Sequence, residues 1–302
     1  MRITQNMMNT QLLRDVNNNL QRISRQQEQL STGRRVNKPS DDPVALTYAL
    51  RYRGELAANE QYQRNTDDAL SILGFVDTAM EQMNNVLQRA RELAVRGANG
   101  TNSEESLRAI ALEVEQLYDE MVTIGNSQFN GKYVFNGQNT TTPPFLDPEN
   151  AEQAEPDGGA IVYEIAPDAL VQINADASKV FGPFAPGPGT DEGNIFQILK
   201  NLQSALNSGS SSGVNEQLGR LDERMDGFLA QWADVGARMN RLELSENRLQ
   251  DISNNLQEMI GKTEDADLAK VITDLKTQEN IYQASLAIGA RMIRASLVDF
   301  MR

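Results

Sequence analysis

Between Leu218 and Ile260 large apolar side chains return at alternating steps of three and four residues. The series is Leu218, Leu221, Met225, Phe228, Trp232, Val235, Met239, Leu242, Leu249, Leu256 and Ile260, with Glu246 and Ser253 as polar interruptions. A repeat averaging 3.5 residues keeps one face of an α-helix turned toward a partner helix; a strand would alternate every two residues instead. A helix from Val214 to Ile260 would run ~70 Å at 1.5 Å per residue. The fold this predicts is mainly α, an elongated rod of long coiled-coil-like helices formed by N- and C-terminal segments of the chain.

The same period recurs elsewhere. Residues 43 to about 97 read as one helix with Leu73, Val76, Met80, Met83, Leu87, Ala90 and Ala94 in line, closed by Gly97-Ala98-Asn99-Gly100. Ser103 restarts a helix whose seam is Leu107, Ile110, Val114, Leu117, Met121 and Ile124. Ahead of the long helix, Arg34 to Pro43 reads as a turn: Ser40 or Asp41 supplies a cap, Asp42 sits where the helix dipole favours an anion, and Pro43 fits the first turn. Asn194 starts another helix to about Asn207, and Ser208 to Gly213 reads as a flexible linker or loop.

Both ends of the chain carry seams that need a partner. One runs through Leu13, Val16, Leu20, Ile23, Gln27 and Leu30; the other through Ile272, Leu275, Gln278, Tyr282, Leu286, Gly289, Ile293, Leu297 and Phe300. Between Thr277 and Arg294 the only charged side chains are Glu279 and Arg291, fewer than a solvated surface helix carries. The apolar positions on these two lines, Leu13, Val16, Leu20, Ile23, Leu30, Ile272, Leu275, Tyr282, Leu286, Ile293, Leu297 and Phe300, are therefore the expected assembly interface. The first helix is also rich in Asn and Gln, so its outer face offers hydrogen bonds more than charge.

After Gly125 the texture changes. Phe129 to Gly137 alternates aromatic and polar residues between two Asn-Gly pairs, a hairpin signal. Thr140 to about Thr190 holds most of the prolines together with short β-favouring runs, Ala160 to Ile165 and Leu170 to Ile173, and reads as a small β-rich insert. The expected organisation is nested: residues 1–40 with 264–302 as a terminal helical domain, 41–139 with 191–263 as a long-helix bundle, and 140–190 as the insert.

Composition narrows function. The chain of 302 residues contains neither cysteine nor histidine, which removes thiol and Ser-His chemistry and the commonest metal ligands. An enzyme on a helical scaffold would have to rely on carboxylates such as Asp265 and Asp267, as metal ligands or as a glycosidase pair. The net charge of −14 is unevenly spread, with seven Lys/Arg against two Asp/Glu in residues 1–40 and five against six in 264–302. The middle is strongly acidic, which argues against a nucleic-acid partner. Met1 to Thr10 has one arginine and no apolar core of secretory-signal length, and no stretch approaches membrane-spanning length. Neither a cofactor nor membrane insertion is expected.

Leu30-Ser31-Thr32-Gly33-Arg34-Arg35-Val36-Asn37 followed by Asp41-Asp42, and Gln88 to Ala94 followed by Ala98-Asn99-Gly100-Thr101, resemble the N-terminal signature of bacterial flagellins and their relatives. Ile281-Tyr282-Gln283-Ala284-Ser285-Leu286 and the closing Ser296 to Arg302 are similar to the family's other end. Met1-Arg2-Ile3-Thr4-Gln5, the Pro39 to Pro43 turn and Asn130 to Gly137 look like the family's hook-associated branch, with filament flagellin as the alternative. The resemblance implies a non-enzymatic structural component of the extracellular flagellum, assembled as a homo-oligomer ring between another hook-associated protein and flagellin. It further implies type III export without a cleaved signal peptide, with an export chaperone held at the C-terminal helix.

Overall fold

The computed structural model describes residues 5–100, 102–184 and 193–300, with side chains described for 7–290 within those ranges. In chain order the elements are α1 Gln5–Thr32, α2 Pro43–Ala98, α3 Glu104–Gly125, β1 Gln128–Phe129, β2 Lys132–Tyr133, a 3-10 turn Pro148–Gln153, β3 Val162–Ala166, β4 Ala169–Gln172, α4 Ala177–Val180, α5 Ile195–Asn207, α6 Ser211–Glu264 and α7 Leu268–Phe300. The protein is mainly α, with two small antiparallel sheets, β1 with β2 and β3 with β4. Contacts group the chain into unit 1, Met1–Ala58 with Asp251–Arg302, and unit 2, Asn59–Gln250. The divisions fall inside α2 and α6. Local ties hold the near ends together: Glu264 in the last turn of α6 pairs with Arg53 in the third turn of α2 and with Arg34 just after α1, and Ala266 N donates to the Gly33 carbonyl ahead of α7.

In unit 2 the long seams are filled as the period predicts. Val214, Leu221, Phe228, Val235, Leu242 and Leu249 of α6 stand seven residues apart and are all buried, a strict heptad column of the kind that imposes a left-handed supercoil. Its counterpart on α2 is Asn59, Thr66, Leu73, Met80, Leu87 and Ala94, also buried. The two helices run antiparallel. Asn59 Nδ2 donates to the Leu249 carbonyl at 2.9 Å, Trp232 Nε1 donates to Asp77 Oδ1 at 2.6 Å and Arg91 Nε donates to Asp222 Oδ1 at 2.6 Å, so rising numbers on α2 meet falling ones on α6.

α3 and α5 complete the bundle. Ser103 accepts from Ser106 N at 3.3 Å to cap α3, and Asn194 Oδ1 accepts from Gln197 N at 2.9 Å to cap α5. Phe196 of α5 lies at the centre of an aromatic cluster, with ring centroids 4.6 Å from Phe145, 5.2 Å from Phe181 and 5.7 Å from Tyr118. Glu152 pins the 3-10 turn to the bundle: Lys200 Nζ donates to its Oε1 at 2.5 Å and Tyr118 Oη donates to its Oε2 at 3.1 Å. Burial pushes this carboxyl up, and the bond from Lys200 with its neighbours more than reverses that, leaving it below the ordinary glutamate value.

Three expectations change. Asn130 and Gly131, with φ of 50° and 76°, make the tight turn between β1 and β2, but the second Asn-Gly pair is not a hairpin turn. Asn136 instead accepts from Asp157 N at 2.9 Å and donates to the Thr142 carbonyl at 3.0 Å, a loop staple that buries Val134 and Phe135. The segment read as a β insert supplies β3 and β4, yet its Phe145, Ile165, Val171 and Phe181 belong to the same core as the long helices. Of Ser208 to Gly213, read as a flexible linker or loop, Ser208 to Ser210 form a closed turn and the rest is the first turn of α6: Gly209 takes φ 69°, Ser210 N donates to the Ala205 carbonyl at 3.0 Å, and Ser210 Oγ accepts from Gly213 N at 3.2 Å.

Candidate assembly surface

Unit 1 is built around α1 and α7. At their base two turns bind each other through the backbone, with Ala266 N donating to the Gly33 carbonyl at 2.9 Å and Arg35 N donating to the Glu264 carbonyl at 2.6 Å. Gly33 can do this because its φ is 71°, a left-handed conformation that costs glycine nothing. Glu264 is 2% exposed and its Oε2 is paired with Arg53 and with Arg34 Nε, while Oε1 has no partner. The helix α6 runs on to Glu264, beyond the Ile260 end read from the sequence. Asp267 Oδ1 accepts from Lys270 N at 3.1 Å and caps α7, while the backbone of Asp265 forms an isolated antiparallel β-bridge with that of Arg34.

The turn into α2 is held by two carboxylates. Asp42 Oδ1 accepts from Ala45 N at 3.0 Å, and Asp41 Oδ2 accepts from Lys38 N at 3.0 Å and Asn37 N at 3.2 Å. These backbone bonds hold both carboxyls below the ordinary aspartate value of 3.8. Depressed folded-state values mean the stabilisation is complete above the unfolded pKa and is lost as pH falls through the folded one. Protection of the amides at residues 37–46, relative to their intrinsic exchange at each pH, is expected to fall on acidification below the aspartate range before that of the unit 2 core does; simultaneous loss of protection would contradict this.

Along the pair a line of half-buried positions on α1 runs through Asn9, Leu12, Val16, Asn19, Ile23, Gln26 and Leu30, an unbroken series of three- and four-residue steps, with Glu28 and Gln29 half-buried beside its end. On α7 the inner positions are Val271, Leu275, Gln278, Tyr282, Ser285 and Gly289. Val16, Ile23, Leu30, Leu275 and Tyr282 thus lie on the seam. Leu13, Leu20, Ile272 and Leu286 do not: they are 63%, 42%, 49% and 48% exposed, one residue off the line that was expected to contain them. The side chains of Ile293, Leu297 and Phe300 lie outside the described residues. What sequence reading missed was Leu12, Asn19 and Gln26 on α1 and Val271 and Ser285 on α7. The signal was the unbroken period itself, which runs through polar residues that a search for apolar ones steps around.

The displaced residues form flanks. At 100° per residue, Leu13 and Leu20 fall on one side of the α1 seam, Leu268, Ile272 and Leu286 on one side of the α7 seam, and Ile281 and Ile288 on the other. Exposed apolar stripes flanking a half-polar seam are the chemistry of a surface that further helices cover. Gly289 is buried, and a Cβ there would stand 2.7 Å from Leu12 Cδ2. Gly289→Val is expected to destabilise the pair by about 2 kcal/mol through this overpacking, read as faster exchange in residues 8–20.

Among the described residues no group of three or more acidic side chains is arranged to hold a metal ion, and no helix is long and apolar enough to cross a membrane. Residues 3–140 match the model of the bacterial flagellin N-terminal helical region, and residues 218–301 that of the C-terminal helical region. The chain is 29% identical to flagellin of Bacillus subtilis, over 96% of each chain, and 26% identical to flagellar hook-associated protein 3 of Escherichia coli, over 100% of each. In fold it is similar to a flagellar hook-associated protein of Vibrio parahaemolyticus, with a TM-score of 0.67 and 22% identity over 74% of this chain and 100% of that one. It is likewise similar to flagellar hook-associated protein 3 of Legionella pneumophila, with a TM-score of 0.61 and 18% identity over 70% and 97%.

Proposed function

The chain belongs to the bacterial flagellin family, and from that premise we propose that this flagellar structural protein is the adapter joining the hook-associated zone to the flagellin filament. The observation that carries the finer reading is the end-to-end alignment with hook-associated protein 3 of Escherichia coli, which leaves no part of either chain uncovered. The physical basis is unit 1: a helix pair whose seam is half polar and whose flanks are apolar gains more by being covered than by standing alone. In this reading the adapter is a homo-oligomeric ring, its flanks meet neighbouring copies, another hook-associated protein and flagellin occupy its two axial faces, and an export chaperone covers α7 beforehand. Its place is the extracellular flagellum, reached without a cleaved signal peptide.

The second reading is a filament flagellin subunit, favoured by the likeness to flagellin of Bacillus subtilis. Purified protein separates the two. An adapter stays as monomers or short oligomers and nucleates added flagellin only where hook ends are present; long filaments formed by the chain alone would overturn the adapter reading. Leu20→Asp with Leu286→Asp, both exposed in the monomer, is expected to abolish binding to hook ends without lowering the thermal transition of unit 2. Undiminished binding would show that the flanks are not the assembly surface.

A further inference from the structure

Where α2 meets the two hairpins, unit 2 holds an open cavity of about 320 Å³. Three pieces of the chain wall it: α2 at Asp68 and Ile72, the first hairpin from Phe129 to Val134, and the second hairpin at Tyr163. Each wall is held by bonds of its own. Asn65 Nδ2 donates to the Glu164 carbonyl at 2.7 Å and fastens β3 to α2. Asn174 closes the open end of the second hairpin, its Oδ1 accepting from Ile161 N and its Nδ2 donating to the Gly159 carbonyl, both at 2.9 Å. The first hairpin is anchored by Phe129 against Phe75 of α2, with ring centroids 5.6 Å apart, and by Tyr133 N donating to the Thr140 carbonyl at 3.0 Å. The cavity is thus formed before any occupant arrives, as small-molecule sites usually are.

Its lining sets aromatic rings beside polar groups that folding leaves unused. Phe129, Tyr133 and Tyr163 border it and are all half-buried, although Ile165, on the same face of β3 as Tyr163, is fully in the core. Asp68, Asn130 and Lys132 stand exposed beside the rings. Among the described residues these three side chains make no hydrogen bond or ion pair with the protein, and neither do the two tyrosine hydroxyls.

That set decides the chemistry of an occupant. An anion would meet Asp68, a cation would meet Lys132, and an apolar molecule would strip water from both without replacing it. A zwitterion brings two polar ends to these five polar groups. A sugar brings a hydroxyl to each: hydroxyls donate to the carboxylate and accept from the ammonium, and the C–H bonds of a pyranose face lie against the negative face of an aromatic ring. The volume is at the small end of ligand sites and suits a mono- or disaccharide, or the end of a longer glycan.

We propose that this cavity is a saccharide-binding site, in which Tyr133 and Tyr163 supply the ring faces, Asp68 accepts from sugar hydroxyls, and Asn130 and Lys132 donate to them. The site lies wholly within unit 2 and is independent of which flagellar component the chain is.

Amide chemical shifts of the full-length protein test it, with lactose, maltose, cellobiose and N,N′-diacetylchitobiose as probes and free phenylalanine as the zwitterionic control. At least one disaccharide is expected to shift the amides of residues 129–134 and 161–164 saturably at millimolar concentration. Its affinity is expected to hold when salt is raised, because the ligand carries no charge. Asp68→Ala, at an exposed helical position, is expected to weaken that binding at least about tenfold with the thermal transition of unit 2 unchanged. Tyr163→Leu, which keeps apolar bulk and removes the ring, is expected to weaken it to a similar extent. Failure of all four disaccharides to shift these amides overturns the proposal, and so does binding that survives Asp68→Ala undiminished. Shifts produced by phenylalanine and by no disaccharide overturn it in favour of a zwitterion site.

Discussion

Phe196→Ala is expected to destabilise unit 2 by about 4 kcal/mol, close to the limit for a single core truncation. The side chain is fully buried, and its ring centroid lies within 6 Å of those of Phe145, Phe181 and Tyr118. Those neighbours come from α3, from the loop after the first hairpin and from the segment following α4, so they cannot close on the vacancy by moving one element. Both the transfer free energy of the ring and the uncollapsed cavity should therefore appear. Urea unfolding with an unchanged slope and a lowered midpoint is the result that supports it. A loss below about 1.5 kcal/mol would mean that the aromatic cluster repacks, and that the segment 140–184 is held by its backbone staples more than by its rings.

Deleting residues 287–302 should leave that core untouched and abolish assembly. Every residue of the unit 2 cluster lies between Ala69 and Leu242, far in sequence from the deletion, so its thermal transition is expected to be unchanged. In unit 1 the deletion removes Gly289, and with it the packing partner of Leu12, together with the exposed Ile288. What remains of the pair runs from Val16 to Leu30 on α1 and from Val271 to Ser285 on α7, with Asn19, Gln26, Gln278 and Ser285 among its inner positions, too short and too polar to hold α1 as a helix. Sedimentation with hook ends reads the outcome. If the truncated chain still joins hooks to flagellin, the terminal pair is not where assembly happens, and the acidic middle must be searched instead.

The two units differ in how far their sequences could be read. On α2 and α6 the inner stripe is apolar at almost every step, and the second apolar stripe beside it on α2, through Ala79, Val86 and Leu93, is buried as well. Leu73, Met80 and Leu87 on one helix and Leu221, Phe228, Val235 and Leu242 on the other are buried as the period requires. The caps at Ser103 and Asn194 were equally legible, because a capping side chain reaches only the next two or three backbone amides and owes nothing to the fold. The β insert was legible only in part. Its strands were found, but whether Phe145 and Phe181 make their own small core or join another depends on what the bundle leaves open, and no local pattern carries that.

On α1 two stripes compete, one through Leu13 and Leu20, the other through Leu12 and Asn19, and hydrophobicity favours the one that ends outside. Period alone thus determined that this chain makes long helices whose ends need partners, since a 3.5-residue repeat of apolar side chains has no other stable use. Which of two adjacent stripes turns inward was decided only in three dimensions. There the backbone bonds from Ala266 to Gly33 and from Arg35 to Glu264 fix where α1 ends and α7 starts, and a glycine at 289 lets them approach, so that the geometry of the base outweighs the smaller gain from burying Leu13, Leu20, Ile272 and Leu286.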